Sequence, residues 1–554
     1  MKGIRINITL FGGLILFSIS CKKNSSSPPP GKPVAAILVR IDNVAFIDNM
    51  YNVGVQPVIT IKFSEPLQTS SVASAVKFQD GSGSDIGFNS SLQSKDSLLV
   101  IQPNSKLAYI SKYKFSISTT LKSASGGAFT TPVDNSFLTK IDSTPKFPVI
   151  SDDSLLTVVQ KQTFKYFWDF GHPVCGMARE RNADLTTVTT GGSGFGIMAT
   201  PVAINRGFIT RADGLARLQT IVGFLKNTAP KFHGAFSHWM NGNTGAVIPF
   251  GVNDDGADIV ETSYLMAGLL TARQFFDGAD VAETTLRSDI NALYNAVEWD
   301  WFRQNGKNVL YWNWSPNTGF AVNVPVQGWN ETLITYVMAA SSPTHSIPKA
   351  VYDSGFARNG AMVNNNTYYG YKLSLGPAYG GPLFFSHYSF MGINPNGLSD
   401  AYANYQTQTI NHSLINYEYC KANPKNYYGY SNLCWGLTAS DVQGSYNANS
   451  PTNDVGVITP TAAISSLPYT PAQSMNTLKF FYYTLGDKIW KDYGFTDAFS
   501  LNSQWYASSF LAIDQGPIIV MIENYRSGLV WNLFTSCPEV KAGMKSIGFS
   551  APYL

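Results

Sequence analysis

Apolar and polar residues alternate in the first part of the chain. Val58-Ile-Thr-Ile-Lys-Phe63, Ser97-Leu-Leu-Val-Ile-Gln102 and Tyr113-Lys-Phe-Ser-Ile-Ser118 each put apolar side chains on one face, between clusters of Gly, Ser, Asn and Pro. Repeated over residues 35–142, this pattern predicts a small all-β sandwich. Ser143 to Pro148 (STPKFP) marks a break, because its prolines fit neither a sheet nor a helix interior. A linker over 143–150 follows from it. Beyond it the period becomes helical: Leu155, Val158, Val159, Phe164 and Phe167 follow the Ser151-Asp-Asp start. Further helices are predicted at 195–205, 211–227, 258–276, 281–302, 330–340, 346–357, 382–392, 399–421, 430–440, 459–467, 471–486 and 515–526. Their Gly- and aromatic-rich connections include three long segments, 232–253, 309–330 and 364–381, of a length that is usually functional. Consecutive helical hairpins can stack as an open solenoid or close on themselves. The expected architecture for 151–554 is an all-α (α/α)6 toroid with those loops rimming a cleft.

The N-terminus changes the picture of where this chain resides. Lys2 and Arg5 precede an apolar stretch, Ile8 to Ile19, that is too short for a membrane helix, and Ser20-Cys21 follows. Residues 1–20 fit a lipoprotein signal peptide with Cys21 as the lipidated first residue. A simple secretory signal is the alternative. The Pro- and Ser-rich residues 21–34 would be a flexible linker holding the body off a membrane, in the periplasm or at the cell surface.

The full chain of 554 residues is 44% hydrophobic and 13% aromatic, enough to bury two cores, and its net charge of +3 without a basic run argues against nucleic acid. Cys175, Cys420, Cys434 and Cys537 have no metal-like spacing. Cys420 and Cys434 could pair, or all four could be buried thiols.

In a chain with 14% charged residues, Asn253-Asp-Asp-Gly-Ala-Asp-Ile-Val-Glu261 gathers acids at an unusual density. Asp254, Asp258 and Glu261 fall on one side of a helical start. Two readings are open: Asp258 as N-cap with Glu261 completing a capping box, or carboxylates that do chemistry. Gly256 allows a sharp backbone turn between Asp255 and the helix.

The phrase Ile61-Lys-Phe-Ser-Glu-Pro66 resembles bacterial Ig-like modules that accompany surface enzymes. Seven further phrases carry a second resemblance: Gly191-Gly-Ser-Gly-Phe-Gly-Ile-Met-Ala199, Arg206-Gly-Phe-Ile-Thr-Arg211, Phe236-Ser-His-Trp-Met-Asn-Gly-Asn-Thr-Gly245, Asp258-Ile-Val-Glu-Thr-Ser-Tyr-Leu265, Asn330-Glu-Thr-Leu-Ile-Thr-Tyr336, Pro382-Leu-Phe-Phe-Ser-His-Tyr388 and Tyr428 to Asp441. Together they resemble the bacterial glucoamylase-like family that includes glycoside hydrolase family 144. The resemblance implies an (α/α)6 barrel and glycoside hydrolysis with no metal or cofactor, in that family on β-1,2-glucan with inversion. Its acidic motif falls on Asp254, Asp258 and Glu261, and its second acid on Glu331.

Inverting hydrolysis needs a protonated acid and a separate carboxylate with room between them for water. Glu331, alone beside Trp329 and an apolar helix, is the candidate acid. The base falls in the Asp254/Asp258/Glu261 group, or a substrate hydroxyl relays the proton from Asp400 or Asp441. Candidate sugar-binding residues are His238, Trp239, Asn241, Arg179, Trp312, Trp314, Trp329, His387, Tyr388, Tyr430 and Trp435. The competing classes are a non-catalytic glycan-binding lipoprotein, a glucoamylase-like hydrolase of α-glucans, and a helical polysaccharide lyase. The expected partner is an oligo- or polysaccharide, met by a monomer whose link to the membrane is its lipid.

Overall fold

A computed structural model describes residues 29–47 and 50–554. The expected signal peptide and Cys21 lie outside the described residues. The chain divides into two compact units at Lys140/Ile141.

In the first unit, five antiparallel strands run in the order Val44–Ala45, Ala36–Ile41, Ile59–Phe63, Leu98–Pro103, Phe88–Gln93. A second sheet orders Met50–Val53, Val133–Thr139, Lys112–Ile117 and Val76–Asp80, with only its first pair parallel. Alternation explains both: Ile59, Ile61 and Phe63 are buried while Lys62 is exposed, and they meet Leu99, Ile101, Phe115 and Ile117 in one core. The three strands expected from the sequence fall within one residue of those observed.

The second unit is mainly helical. Thr190–Asn205, Ile259–Phe275, Leu333–Ser341 and Ala512–Arg526 are buried on nearly every side, as expected of helices apolar all round. Helices with one apolar face, such as Asp152–Trp168 and Val281–Asn295, pack outside them. Thr190–Asn205 lies directly against Ile259–Phe275 because glycines face each other: a Cβ on Gly194 would come within 2.3 Å of the Tyr264 carbonyl, and one on Gly268 within 2.3 Å of the Gly194 carbonyl.

Several helical expectations are corrected. Residues 430–440 form turns and the start of a strand, since Gly429 and Gly436 take φ of +96° and +128°, which no helix uses. Residues 382–392 form two short 3-10 turns, and 346–357 a three-residue helix running into a π turn. Leu529–Ser536 and Pro538–Ser546 are helices the periodicity did not mark. Cys420 and Cys434 are buried free thiols, as are Cys175 and Cys537. Among the described residues no helix is long and apolar enough to cross a membrane.

The segment read as a linker is packed against the helical unit. Lys146 N–H donates to the Tyr483 carbonyl at 2.7 Å, and the Phe147 ring sits 4.6 Å from that of Tyr482. A fragment starting at Ile141 is therefore expected to stay folded in calorimetry. One starting at Val149, having lost both contacts, should melt a few degrees lower; equal melting temperatures would show that the segment contributes nothing.

Candidate active site

The site is assembled where the helix Ile259–Phe275 begins. Asp258 caps it: Oδ1 accepts the N–H groups of Val260 (3.0 Å) and Glu261 (2.9 Å). Its other oxygen, Oδ2, accepts His238 Nδ1 at 2.8 Å and Trp312 Nε1 at 3.2 Å. The acid is 1% exposed. It is thus both the cap and the clamp that fixes two cavity side chains. The second half of a capping box does not form, because Asp258 N–H donates to the Phe236 carbonyl. Glu261 instead turns to the neighbouring helix, where Oε2 accepts the Gly191 N–H at 2.7 Å. Only glycine permits that approach, as a Cβ on residue 191 would lie 2.5 Å from the same oxygen.

Glu331 enters from another segment. Its carbonyl accepts the Tyr264 hydroxyl at 3.2 Å and the Ser389 hydroxyl, which anchors the turn ahead of the helix Leu333–Ser341. Its side chain and that of Glu261 line one cavity of about 440 Å³, with His238, Trp239, Trp312 and Tyr388. Glu180, Arg181, Tyr264, Phe250 and Tyr446 also line it. Phe250, 53% exposed, stacks on His238 at 4.1 Å and meets Trp239 edge-on at 4.9 Å, an aromatic platform at the rim.

Burial raises both glutamates. Burial, reinforced by the charges of Glu261 and Asp258, pushes the Glu331 carboxyl up to about 7. Glu261 is raised as well, by burial and the Asp258 charge, which the His238 charge and the Gly191 N–H offset only in part. Although burial works against it, the His238 imidazole is pushed up to about 9 by Glu261, Asp258 and Asp254, so it is a cation at neutral pH. Burial and the Asp258 charge push Asp254 to about 6.

Of the residues singled out from sequence, Glu331, Glu261, Asp258, His238, Trp239, Trp312 and Tyr388 come together here. Asp254 stands aside: it accepts Asn313 Nδ2 at 2.9 Å and does not line the cavity. Trp329 and Trp435 are core residues, 4% and 0% exposed. The Tyr430 hydroxyl is buried on Asp454. His387 is buried on Ser466, and burial lowers its pKa to about 3. Arg179 donates to the carbonyls of Leu185 and Phe170 and lies over the Phe170 ring. Asn241 closes its own turn through Asn243 and Thr244 N–H. Trp314 packs edge-on against His233. Asp400 accepts the hydroxyls of Tyr352 and Tyr405 and closes a turn, a structural role.

Of a second constellation only Asp441 was read from sequence, as a distant acid for a proton relay. Arg181 pairs with Glu180 through two contacts, 2.7 and 3.2 Å, and reaches Asp441 at 3.3 Å. Asp441 N–H donates to Asp497 at 2.7 Å. Asp497 and Asp514, both 2% exposed, are pushed up by burial, Asp497 to about 7. Among the described residues Asp497 Oδ1 and both Asp514 oxygens are buried without a hydrogen-bond partner, and the Asp497 charge raises Asp514's cost of ionisation further. The available signal was Asp514, which precedes an apolar run at the third helical position, as Glu261 does. Among the described residues no group of three or more His, Cys, Asp or Glu is arranged to hold a metal ion.

A family model described as "Putative glucoamylase" matches residues 323–538, and one for a bacterial Ig-like domain matches 40–139. A solved endo-beta-1,2-glucanase from Chitinophaga pinensis, in complex with sophorotriose and glucose, is 52% identical with a TM-score of 0.72, over 73% of this chain and 100% of that one. The chain belongs to the glucoamylase-like family. A beta-1,2-glucanase structure from Parabacteroides distasonis is 35% identical, with a TM-score of 0.70 over 94% of this chain and 74% of that one. An exo beta-1,2-glucooligosaccharide sophorohydrolase acting at the non-reducing end, also from Parabacteroides distasonis, is 43% identical over 72% of this chain. The match spans 58% of that relative's length.

Proposed function

We propose that this family member is a glycoside hydrolase that cleaves β-1,2-glucan with inversion, in an (α/α)6 toroid. The observation that carries the reading is a pair of glutamates from separate segments, a half-buried Glu331 whose carboxyl is pushed up to about 7 and a buried Glu261 beside His238, in a cavity walled by aromatic rings. The close relatives acting on β-1,2-linked glucan support the substrate. The succession of buried helices supports the toroid, each flanked by an outer one.

Glu331, with its pKa raised to about 7, is the general acid that protonates the departing glycosidic oxygen. Glu261 is the base: the His238 imidazolium and the Gly191 N–H stabilise its carboxylate, which takes a proton from the attacking water. Water then enters from the face opposite the leaving group, and the anomeric configuration inverts. Asp258 positions His238 and Trp312 without touching the reacting atoms. Trp239, Trp312, Phe250 and Tyr388 stack on apolar sugar faces, while Arg181 and Glu180 offer polar contacts to hydroxyls. The enzyme acts as a monomer, anchored by lipid at Cys21 and facing the periplasm or the exterior.

Proton NMR of the first product on β-1,2-glucan tests this directly, with the inverted anomer expected and the retained one contradicting the mechanism. The pH profile is a second test. Glu331 must carry its proton, so kcat/KM should decline above about pH 7, approaching tenfold per unit. A flat profile to pH 9 would exclude it as the acid.

A further inference from the structure

We infer that the cavity continues past Tyr446 into a second basin that binds further sugar units of the same glucan, and that this basin sets the enzyme's preference for chain length. The inference rests on the hydrolase reading above. A basin of about 470 Å³ adjoins the catalytic cavity, and the two share Arg181 and Tyr446 in their walls. Two hairpins form it. Ala439–Val442 pairs with Ser445–Ala448 on one side, and Phe499–Ser500 pairs with Trp505–Tyr506 on the other.

The first hairpin is a partition with a fixed position. Its two-residue turn, Gln443-Gly444, places Gly444 at φ +84°, a conformation that favours glycine. Tyr446 is paired in register with Asp441, whose carboxylate is held by Arg181 and by the Ser509 hydroxyl at 2.6 Å. The Tyr446 ring is 46% exposed although it belongs to both walls. It can therefore meet a sugar on either side.

The chemistry of the second basin suits an uncharged, hydroxyl-rich ligand. Trp505 is half-exposed along it, and Tyr506, Ser445 and Ser508 supply a ring and hydroxyls. Its charged groups, Arg181 and Asp441, are paired within the wall, with Arg181 shared between Asp441 and Glu180. An aromatic face beside paired charges and hydroxyls is the composition that grips a glucosyl unit through its apolar face and its rim of hydroxyls.

The test uses Trp505→Ala and Trp505→Phe in the full chain, with β-1,2-linked glucooligosaccharides from the trisaccharide to the octasaccharide. For Trp505→Ala the ratio of kcat/KM on the octasaccharide to that on the trisaccharide should fall about tenfold. Trp505→Phe should keep most of the ratio. In a Glu331→Gln background, Trp505→Ala should weaken calorimetric binding of the octasaccharide by a similar factor. Unchanged melting temperatures would show that the fold is retained. A loss equal at every length, or a ratio that does not move, overturns the subsite while leaving the hydrolase reading intact. No cleavage of any length by the wild type overturns both.

Discussion

Glu331→Gln is expected to lower turnover on β-1,2-glucan by about 10²–10⁴-fold, the usual contribution of a general acid, and to make the protein more stable at alkaline pH. The two effects share one cause. In the folded chain the carboxyl titrates at about 7, whereas in the unfolded chain it titrates near 4.3. Below the unfolded value the acid is protonated in both states and its burial carries no ionic cost. As pH rises from about 4 through 7, the unfolded state gives up its proton first, and wild-type stability falls. Glutamine has no proton to lose. Allowing for the partial exposure of the side chain, the variant should gain about 1–3 kcal/mol over wild type at pH 8 and little at pH 4. Denaturant titrations at the two pH values measure the difference. Wild-type turnover in the variant, or a stability difference independent of pH, would remove Glu331 from the role of acid.

Asp258→Ala should be the more damaging change to the molecule. It strips the acceptor from two helix N–H groups, from the imidazole of His238 and from the indole of Trp312 at once. A lost cap with buried donors left unpaired costs about 2–4 kcal/mol. Asp258→Asn keeps an oxygen for the cap and should recover much of that stability. In both variants the His238 pKa should fall from about 9 toward its ordinary range, as one carboxylate that raises it is gone. Side-chain NMR titration follows this directly. An unshifted histidine would mean that Glu261 and Asp254 hold the charge without Asp258.

Sequence made some of this legible and hid the rest for physical reasons. The sandwich strands could be placed because a two-sided sheet writes its burial as alternation, as in Ile59, Ile61 and Phe63. The acids at 258 and 261 stood out because a helix start concentrates charge; of the capping box only the cap half forms, with one Asp258 oxygen capping the helix and the other clamping His238 and Trp312. Trp329 and Trp435 were misassigned because a tryptophan beside Gly, Asn or Tyr looks the same in a core as on a rim. Asp441 was singled out from sequence only as a lone relay, because its neighbours Glu180, Asp497 and Asp514 are scattered over more than 300 positions and only tertiary packing unites them. Tyr446 could not be anticipated, since its value lies in a hairpin standing between two chambers.

The contact between Gly194 and Gly268 has a consequence for how the site works. Where two helices meet through side chains, rotamer changes let them slide. Here backbone meets backbone, so the wall that carries Glu261 and the wall that donates the Gly191 N–H cannot drift apart. On the proposed mechanism, dipoles held this way would need little rearrangement as charge moves. Alanine at either glycine would place a Cβ 2.3 Å from a backbone carbonyl oxygen and force the two helices apart, loosening the hold of Glu261 on the Gly191 N–H.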